Sequence, residues 1–315
     1  MRNVGKGATS VTYADLAKRM STPDELRRTE EYLAENLSSF LRPKDRFLIC
    51  LPFEGESSIG ALLERAALRI DVVPLVWKGD LRWKALLKLA FDSRADAIAG
   101  SPQTILGLTK LARFTRTPLN FRHVMTSGYP CMDWIDRGIR RGLDSESLGA
   151  LGIGFGPVVA GFSCSKTYSV HLRDDYFDVE ILDDNGNPVP EGDVGYIVLH
   201  PKDDPALAFR PGDRARLNRT DCPCGCKSLR LTDMDFSDGV DMSLVNLAGE
   251  LLTWSSVLDC SIKRGDCGLE LDMVVFPGEK LPKLPTVAKR IVRPWNPEVD
   301  EPFLKVPGWN VPNND

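Results

Sequence analysis

Two sulfur-bearing clusters on either side of an alternating segment constrain the fold more than any other feature. Cys164 and His171 come first, the segment DDYFDVEILDDNGNPVPEGDVGYIVL spans 174–199, and Cys222-Pro223-Cys224-Gly225-Cys226 closes the region. Phe177, Val179 and Ile181 fall on one side of a period-two strand. Asp-Asn-Gly-Asn-Pro then predicts a hairpin reversal, because Asn and Gly both tolerate positive φ, and 194–199 supplies the returning strand. A chain folded back in this way brings its sulfur-bearing ends together. Cys164, His171, Cys222 and Cys224 then make a closed set of three thiolates and one imidazole, the preference of structural zinc. Cys226 competes for the fourth position. The alternative is a set of free thiols in an exposed turn, where three cysteines in five residues would be prone to oxidation.

The chain of 315 residues is long enough for about two domains. An apolar fraction of 43% supplies a sizeable core. Lys and Arg total 40 against 44 Asp and Glu, a net charge of −4, which gives no bulk attraction to nucleic acid or an anionic membrane. The first ten residues lack an apolar signal core, and no uninterrupted apolar run approaches the ~18 residues of a membrane span. A cytoplasmic protein is therefore expected, with its eight cysteines reduced, which favours metal over disulfide at the cluster.

Before the cluster the chain alternates between strand and helix patterns. Strands are predicted at 46–51, 71–77, 95–100, 121–125 and 148–153, with a further short strand turning into a helix at 11–16. Helices are predicted at 21–40, 58–70, 81–90, 103–113 and 132–141. Pro74 interrupts the 71–77 strand, so its edge or end is exposed there. This order predicts α/β architecture: a mostly parallel sheet covered by helices, then an antiparallel β unit with a structural zinc, then a small α+β C-terminal module. The expected divisions are 1–161, 162–235 and 236–315. In the last, 241–247 reads as a strand, 253–258 as a short helix and 269–276 as a strand, and the Pro- and Lys-rich tail from 277 reads as surface wrapping or disorder.

Ligands of parallel sheets bind beyond the carboxyl ends of the strands. Four loops fall there: 52–56, 101–102, Ser127-Gly128-Tyr129-Pro130 and Gly154-Phe155-Gly156-Pro157. Each carries Gly, Pro or Ser, as close backbone approach to a ligand requires, although tight turns use the same residues. His123 reads as a core residue, and His200 as a strand end without an evident partner. A Cys131–His123 nucleophile pair lacks a third, orienting group. Trp77, Trp83, Trp134 and Trp254 read as packing. Cys260 and Cys267 make at most half of a second metal site.

In order along the chain, several stretches resemble the adenylate-forming (acyl-CoA synthetase) superfamily, in its phenylacetate–CoA ligase-like branch. Gly5-Lys6-Gly7 with Val11-Thr12-Tyr13 resembles the end of the phosphate-binding loop and the strand after it. Val72-Val73-Pro74-Leu75 and 95–102 resemble two sheet strands of that fold. The 127–130 loop resembles its acyl-pocket border, the 154–164 stretch its loop ending in Cys, and His171 the His beyond that loop. Residues 193–199 resemble its Gly-Glu-x-Gly-Glu-Leu-Val strand. Phe209-Arg210-x-x-Asp213 resembles Tyr-Arg-Thr-x-Asp, whose Asp holds the ribose hydroxyls, and Cys222-x-Cys224-Gly225 matches the branch's Cys-x-Cys-Gly. The resemblance covers 5–258. It implies a nucleotide site at Asp213 and Arg210, and an acyl pocket lined by Ser127, Gly128, Tyr129, Pro130, Gly154, Phe155, Gly156 and Pro157. The implied cofactors are ATP or AMP with Mg, CoA, and structural zinc; the implied substrate is a small aryl or acyl carboxylic acid.

Departures from the pattern bear on the chemistry. The Ser/Thr/Gly-rich half of the phosphate loop would precede Met1. The loop that should carry a magnesium-organising acid reads Gly-Phe-Gly-Pro. The hinge is reduced to Asp238-Gly239-Val240-Asp241, and the lid after it is short. No residue is assigned as catalytic; Lys280, Lys283 and Lys289 lack motif support. Adenylation depends on phosphate-binding N–H groups and a magnesium ion to hold developing charge. The resemblance therefore implies either a shortened ligase-like enzyme or a subunit that keeps the fold and is non-catalytic or dependent on a partner or carrier protein. An acyltransferase that reuses the pocket without ATP is a third reading.

Overall fold

The computed structural model describes residues 9–78, 81–127, 132–143, 147–152 (backbone only), 157–164, 166–167, 169–235, 241–281 and 283–302. Strand β1 (Thr9–Ser10) precedes helices α1 (Tyr13–Met20) and α2 (Pro23–Ser38). The α/β region comprises β2 (Arg46–Cys50), α3 (Ile59–Arg69), β3 (Val73–Val76), α4 (Trp83–Ser93), β4 (Ala97–Gly100), α5 (Pro102–Thr115), β5 (His123–Thr126), α6 (Asp133–Leu143) and β6 (Ser147–Gly152). The β-rich region contains β7 (Val159–Ser163), β8 (Val170–Leu172), β9 (Phe177–Leu182), β10 (Val194–Pro201), β11 (Leu207–Ala208), β12 (Arg214–Asn218) and β13 (Arg230–Asp235). Helix α7 (Met242–Leu252) and strands β14 (Val257–Gly265), β15 (Gly268–Val275) and β16 (Lys289–Pro294) complete the chain.

Among the described residues, one sheet of eleven strands runs in the order β3-β2-β4-β5-β6-β7-β8-β13-β12-β10-β9. From β3 to β6 all pairs are parallel, and from β6 onward all are antiparallel. The expected mixture of parallel and antiparallel sheet is present, and β6 is the joint. β3 is the edge strand, the first of the two placements Pro74 allows: Val73 and Trp77 donate to the β2 segment, and Pro74, between them in register, faces away from that ladder.

Alternation along the buried strands distributes side chains to two helical layers. Phe47, Ile49, Ala97 and Ala99 pack with Leu33 and Leu37 of α2 and Leu62 and Leu63 of α3. Leu48, Ile98 and Val124 point the other way, onto Trp83, Leu86, Ile105, Leu111, Ile135 and Ile139 of α4, α5 and α6. Local signals start these helices. Thr12 and Asp15 form a reciprocal cap on α1, Pro23 occupies the first turn of α2, and Ser58 and Ser101 cap α3 and α5.

Several local expectations are corrected. The strand lies at Thr9–Ser10, paired with β11, and helix α1 begins at Tyr13, within the stretch read as strand. The 241–247 stretch is helical, not extended. Asp241 caps it by accepting from the Ser243 and Leu244 N–H groups. Leu244, Val245, Ala248, Leu251 and Leu252 then recur at helical spacing on its buried side. The expected helix at 253–258 instead leads into β14. The tail contains β16, which pairs in parallel with β15 from Glu270↔Lys289 to Val275↔Pro294. The Asn-Gly reversal is also wider than a two-residue turn. Only Gly186 takes positive φ (+80°), the Asp183 carboxylate accepts from the Asn185 and Asn187 N–H groups, and a second turn at Gly192 intervenes before β10.

Candidate functional site

The sheet register assembles the Cys/His cluster. β8 lies between β7 and β13, and His171 sits opposite Phe162 on one side and Arg230 on the other. Cys164 comes directly after β7, while Cys222 and Cys224 occupy the β12–β13 connection, so three separate segments meet around His171. Arg230 is 5% exposed and braces that connection: its Nη2 donates to Thr220 O and Thr220 Oγ1, both at 3.0 Å. The tight turn Cys222–Gly225 is closed by Gly225 N–H donating to Cys222 O at 2.9 Å. Gly225 has φ +91°, where any side chain would be strained.

The donor atoms of Cys164, His171, Cys222 and Cys224 all lie within 4.8 Å of one another. Cys164 Sγ is 3.6 Å from Cys222 Sγ, and Cys224 Sγ is 3.2 Å from His171 Nε2. Tetrahedral zinc with Zn–S of about 2.3 Å separates its sulfurs by roughly 3.8 Å, so these spacings suit an ion at the centre. Two sulfurs also accept backbone N–H groups, Lys166 to Cys164 at 3.3 Å and Cys226 to Cys224 at 3.4 Å. Such donors stabilise thiolates. Cys226 thus contributes its N–H, and its thiol lies outside the group of four.

The cluster's acid–base balance is uneven. Burial pushes the Cys164 thiol up, but donors from Thr167, Lys166, His171 and Cys222 outweigh it and bring it down to about 6. Burial and the neighbouring Cys222 and Cys164 push Cys224 up to about 11. The Cys224 thiol thus resists ionisation where Cys164 favours it, and a divalent cation would supply the charge that lets the sulfurs bind together as thiolates. All the described cysteines are free thiols.

The other sequence-predicted residues are more dispersed. Ser127 is buried, its N–H donating to Gly100 O at 3.1 Å beyond β5, and the Pro157 carbonyl accepts from Val159 N–H at 2.9 Å. Gly128, Tyr129, Pro130, Gly154, Phe155 and Gly156 lie outside the described residues, as do Gly5-Lys6-Gly7, Cys131 and Asp238-Gly239-Val240. Asp213 leads into β12, its carbonyl accepting from Ile197 N–H at 3.0 Å, after Gly212 at φ +100°. The Arg210 guanidinium lies 3.5 Å over the Tyr196 ring, shared with Arg214 at 5.0 Å. Asp213 and the cysteine loop therefore stand at opposite ends of β12. Lys280, Lys283 and Lys289 are exposed on the C-terminal segment.

Two histidine readings change. His123 is half-buried against Phe40. His200 has partners after all: Nδ1 is 2.8 Å from Leu207 O and Nε2 is 3.2 Å from Glu180 Oε2. Cys260 is buried and Cys267 exposed, with neither in the metal-type group, so no half-site forms there among the described residues. Of the tryptophans, Trp83 is fully buried and Trp77 is 7% exposed, while Trp254 is 39% exposed.

Sequence reasoning missed Arg173. It is 1% exposed, donates from Nη1 to Thr29 Oγ1 at 2.9 Å, and lies between the rings of Tyr32 and Tyr176. It joins the strand carrying His171 to α2, and no local pattern marks a charged residue for that depth. A cavity of about 290 Å³, lined by Ile181, Val189, Leu217, Glu180 and Arg219, opens at the far edge of the sheet from β5. It is not at the rim where the nucleotide and acyl residues were expected.

Among curated proteins the chain is 27% identical over 174 residues to a phenylacetate–coenzyme A ligase of Thermus thermophilus, across 52% of this chain and 38% of that protein. Among solved structures, 2-hydroxyisobutyryl-CoA ligase in its postadenylation state superposes with a TM-score of 0.63, covering 80% of this chain and 59% of the other at 14% identity. The chain therefore resembles a phenylacetate–coenzyme A ligase in sequence and shares the fold of an acyl-CoA ligase. An anthranilate CoA ligase bound to anthranoyl-AMP gives 0.54 at 11% identity, over 84% of this chain and 59% of that one. A benzoate CoA ligase from Burkholderia xenovorans LB400 gives 0.54 at 14% identity, over 84% and 61%. No family model matches the chain. The chain thus spans less than two thirds of the length of each of these relatives. No helix among the described residues is long and apolar enough to cross a membrane.

Proposed function

We propose that the chain is a shortened, ligase-like enzyme that handles a small aryl or acyl carboxylic acid as its acyl-adenylate or thioester. The kinship with a phenylacetate–coenzyme A ligase, joined to an adenylate-forming fold, carries this reading. Neighbouring ligases of the fold were solved with 2-hydroxyisobutyryl-AMP and CoA, and with anthranoyl-AMP, which points to AMP esters and CoA as ligands here as well. Asp213, at the start of β12, is the residue assigned to the ribose hydroxyls, with Arg210 beside it. Ser127 and Pro157, with the residues between 128–130 and 154–156, border the acyl group. ATP would bring magnesium with it.

Zinc in this reading is structural and is held by Cys164, His171, Cys222 and Cys224. Its contribution is to close the ends of the β7–β13 excursion, and no step of acyl chemistry passes through it. Elements β12 and β13, which carry Asp213 and frame the cysteine loop, are fixed by that closure.

The sequence Gly154-Phe155-Gly156-Pro157 favours a second reading. It has no carboxylate to organise magnesium, so the chain would retain ligand binding without adenylation, as a non-catalytic or partner-dependent subunit. Acyl transfer without ATP is a variant of the same idea.

Titration calorimetry separates the possibilities. Folded protein should bind AMP or CoA, and Asp213→Ala should weaken AMP about 10- to 100-fold, the loss of one to two charge-assisted hydrogen bonds, while leaving CoA unchanged. Folded protein that binds neither ATP, AMP nor CoA sinks the ligase reading. AMP binding without pyrophosphate exchange across a panel of carboxylic acids selects the second reading.

A further inference from the structure

Helix α7 and strands β14–β16 occupy the place in the chain where a mobile lid would come after the hinge-like Asp238–Asp241 segment. We propose instead that this segment is a fixed buttress, permanently seated on α4, α5 and α6, so that any chemistry at the sheet rim proceeds without its swinging. The inference goes beyond the ligase reading and does not depend on it.

Four contacts carry it. First, the Lys110 ammonium of α5 reaches across the seam, donating to Leu252 O, at the last turn of α7, and to Val257 O, at the start of β14, at 2.8 Å. A cation there satisfies a helix's terminal carbonyls and complements its dipole. Burial brings this amine down to about 8, against the pull of the nearby Cys260 and Asp259. Second, Gln103 of α5, 3% exposed, donates from Nε2 to the carboxylate of Asp259, 1% exposed, and to Cys260 O at 3.3 Å. Withdrawing the segment would strip partners from these buried groups, at a cost each time. Third, Trp134 of α6 fills the space over Gly249 of α7, where an added Cβ would lie 2.9 Å from the indole. Phe114 of α5 likewise stacks on Phe276 at 4.3 Å. Fourth, the chain beyond β16 is fastened to α4. Trp83 N–H donates to Asp300 O at 2.9 Å, and Arg82 Nη1 donates to Glu298 O at 2.9 Å.

The packing between these anchors is apolar and continuous. Leu106, Leu108, Leu111, Ile135 and Ile139 share one core with Leu244, Leu251, Val257, Ile262 and Met273. Domains that move against one another meet across polar, modest interfaces; a large apolar seam argues for fixity. The exposed Lys280, Lys283 and Lys289 would consequently stay where they are through any reaction cycle.

Native-state hydrogen exchange of the full chain, monitored through increasing urea, tests this without any ligand. Amides of β14 and β15 should open together with those of α5 and β4, with the same urea dependence. Lys110→Met should accelerate exchange at 252–260 about 10- to 100-fold, the loss of two charge-assisted hydrogen bonds, and leave α2 and α3 unchanged. A separate, low-slope opening that frees 242–302 while α5 stays protected would overturn the proposal, as would unaltered exchange in the Lys110→Met protein. The wild-type series decides by itself if that variant does not fold. Binding of AMP or CoA plays no part in the outcome, so failure here and failure of the ligase reading are distinct results.

Discussion

Replacing Cys222 and Cys224 together by Ser should release one equivalent of metal and lower stability by about 4 kcal/mol or more, the range reached when a structural metal is lost. The reason is topological. The cysteine loop is held to β8 through the Cys164, His171, Cys222 and Cys224 group, whose donor atoms lie within 4.8 Å of one another. Without an ion, three sulfurs and an imidazole are crowded together, and the N–H groups of Lys166 and Cys226 offset that only in part. Cys226→Ser is the control. Its thiol is outside the group and the variant should retain metal and stability, because the N–H that residue 226 offers to Cys224 survives the change. Unfolding in urea with and without a chelator, on the three proteins, checks both effects. A double mutant as stable as the parent would mean that the sheet alone holds the loop.

Trp83→Ala should cost about 3–5 kcal/mol, as large-to-small changes at buried aromatics do. Trp83 is among the largest fully buried side chains, in the layer between the sheet and the C-terminal segment. Its ring lies so close to Gly107 of α5 that a Cβ there would overlap it. Truncation would open a cavity in a core that α4, α5 and α7 share, and rigid helices close around such a space only partly. Trp83→Phe should cost well under half as much. The indole N–H has no hydrogen-bond partner among the described residues, so Phe gives up volume but no polar contact seen there. Equal losses for Ala and Phe, measured by urea unfolding, would show that packing volume is not what Trp83 supplies.

The features legible in the sequence are those written in local chemistry. Pro23 followed by Asp24 and Glu25 marks the start of α2, because Pro suits a first turn whose N–H groups lack partners and acids complement its positive end. Pro74 marks an edge or an end because it lacks a ladder donor. The cysteines were legible because two period-two runs with a turn between them return the chain to its starting point. The misreadings arise where local pattern is silent. The 242–252 run is apolar enough to pass for a buried strand; the carboxylate of Asp241, a cap, was the available signal. β16 is recognisable only beside β15, its parallel partner. Arg173 and Lys110 read as solvated charges, because their burial depends on rings and carbonyls contributed from distant parts of the chain.

The most direct test is elemental analysis with X-ray absorption at the zinc edge, on protein purified without added metal. One zinc per chain, surrounded by three sulfurs at about 2.3 Å and one nitrogen at about 2.0 Å, is the predicted result. Well-folded protein without stoichiometric metal, or with an ion bound by oxygen donors instead, would contradict it.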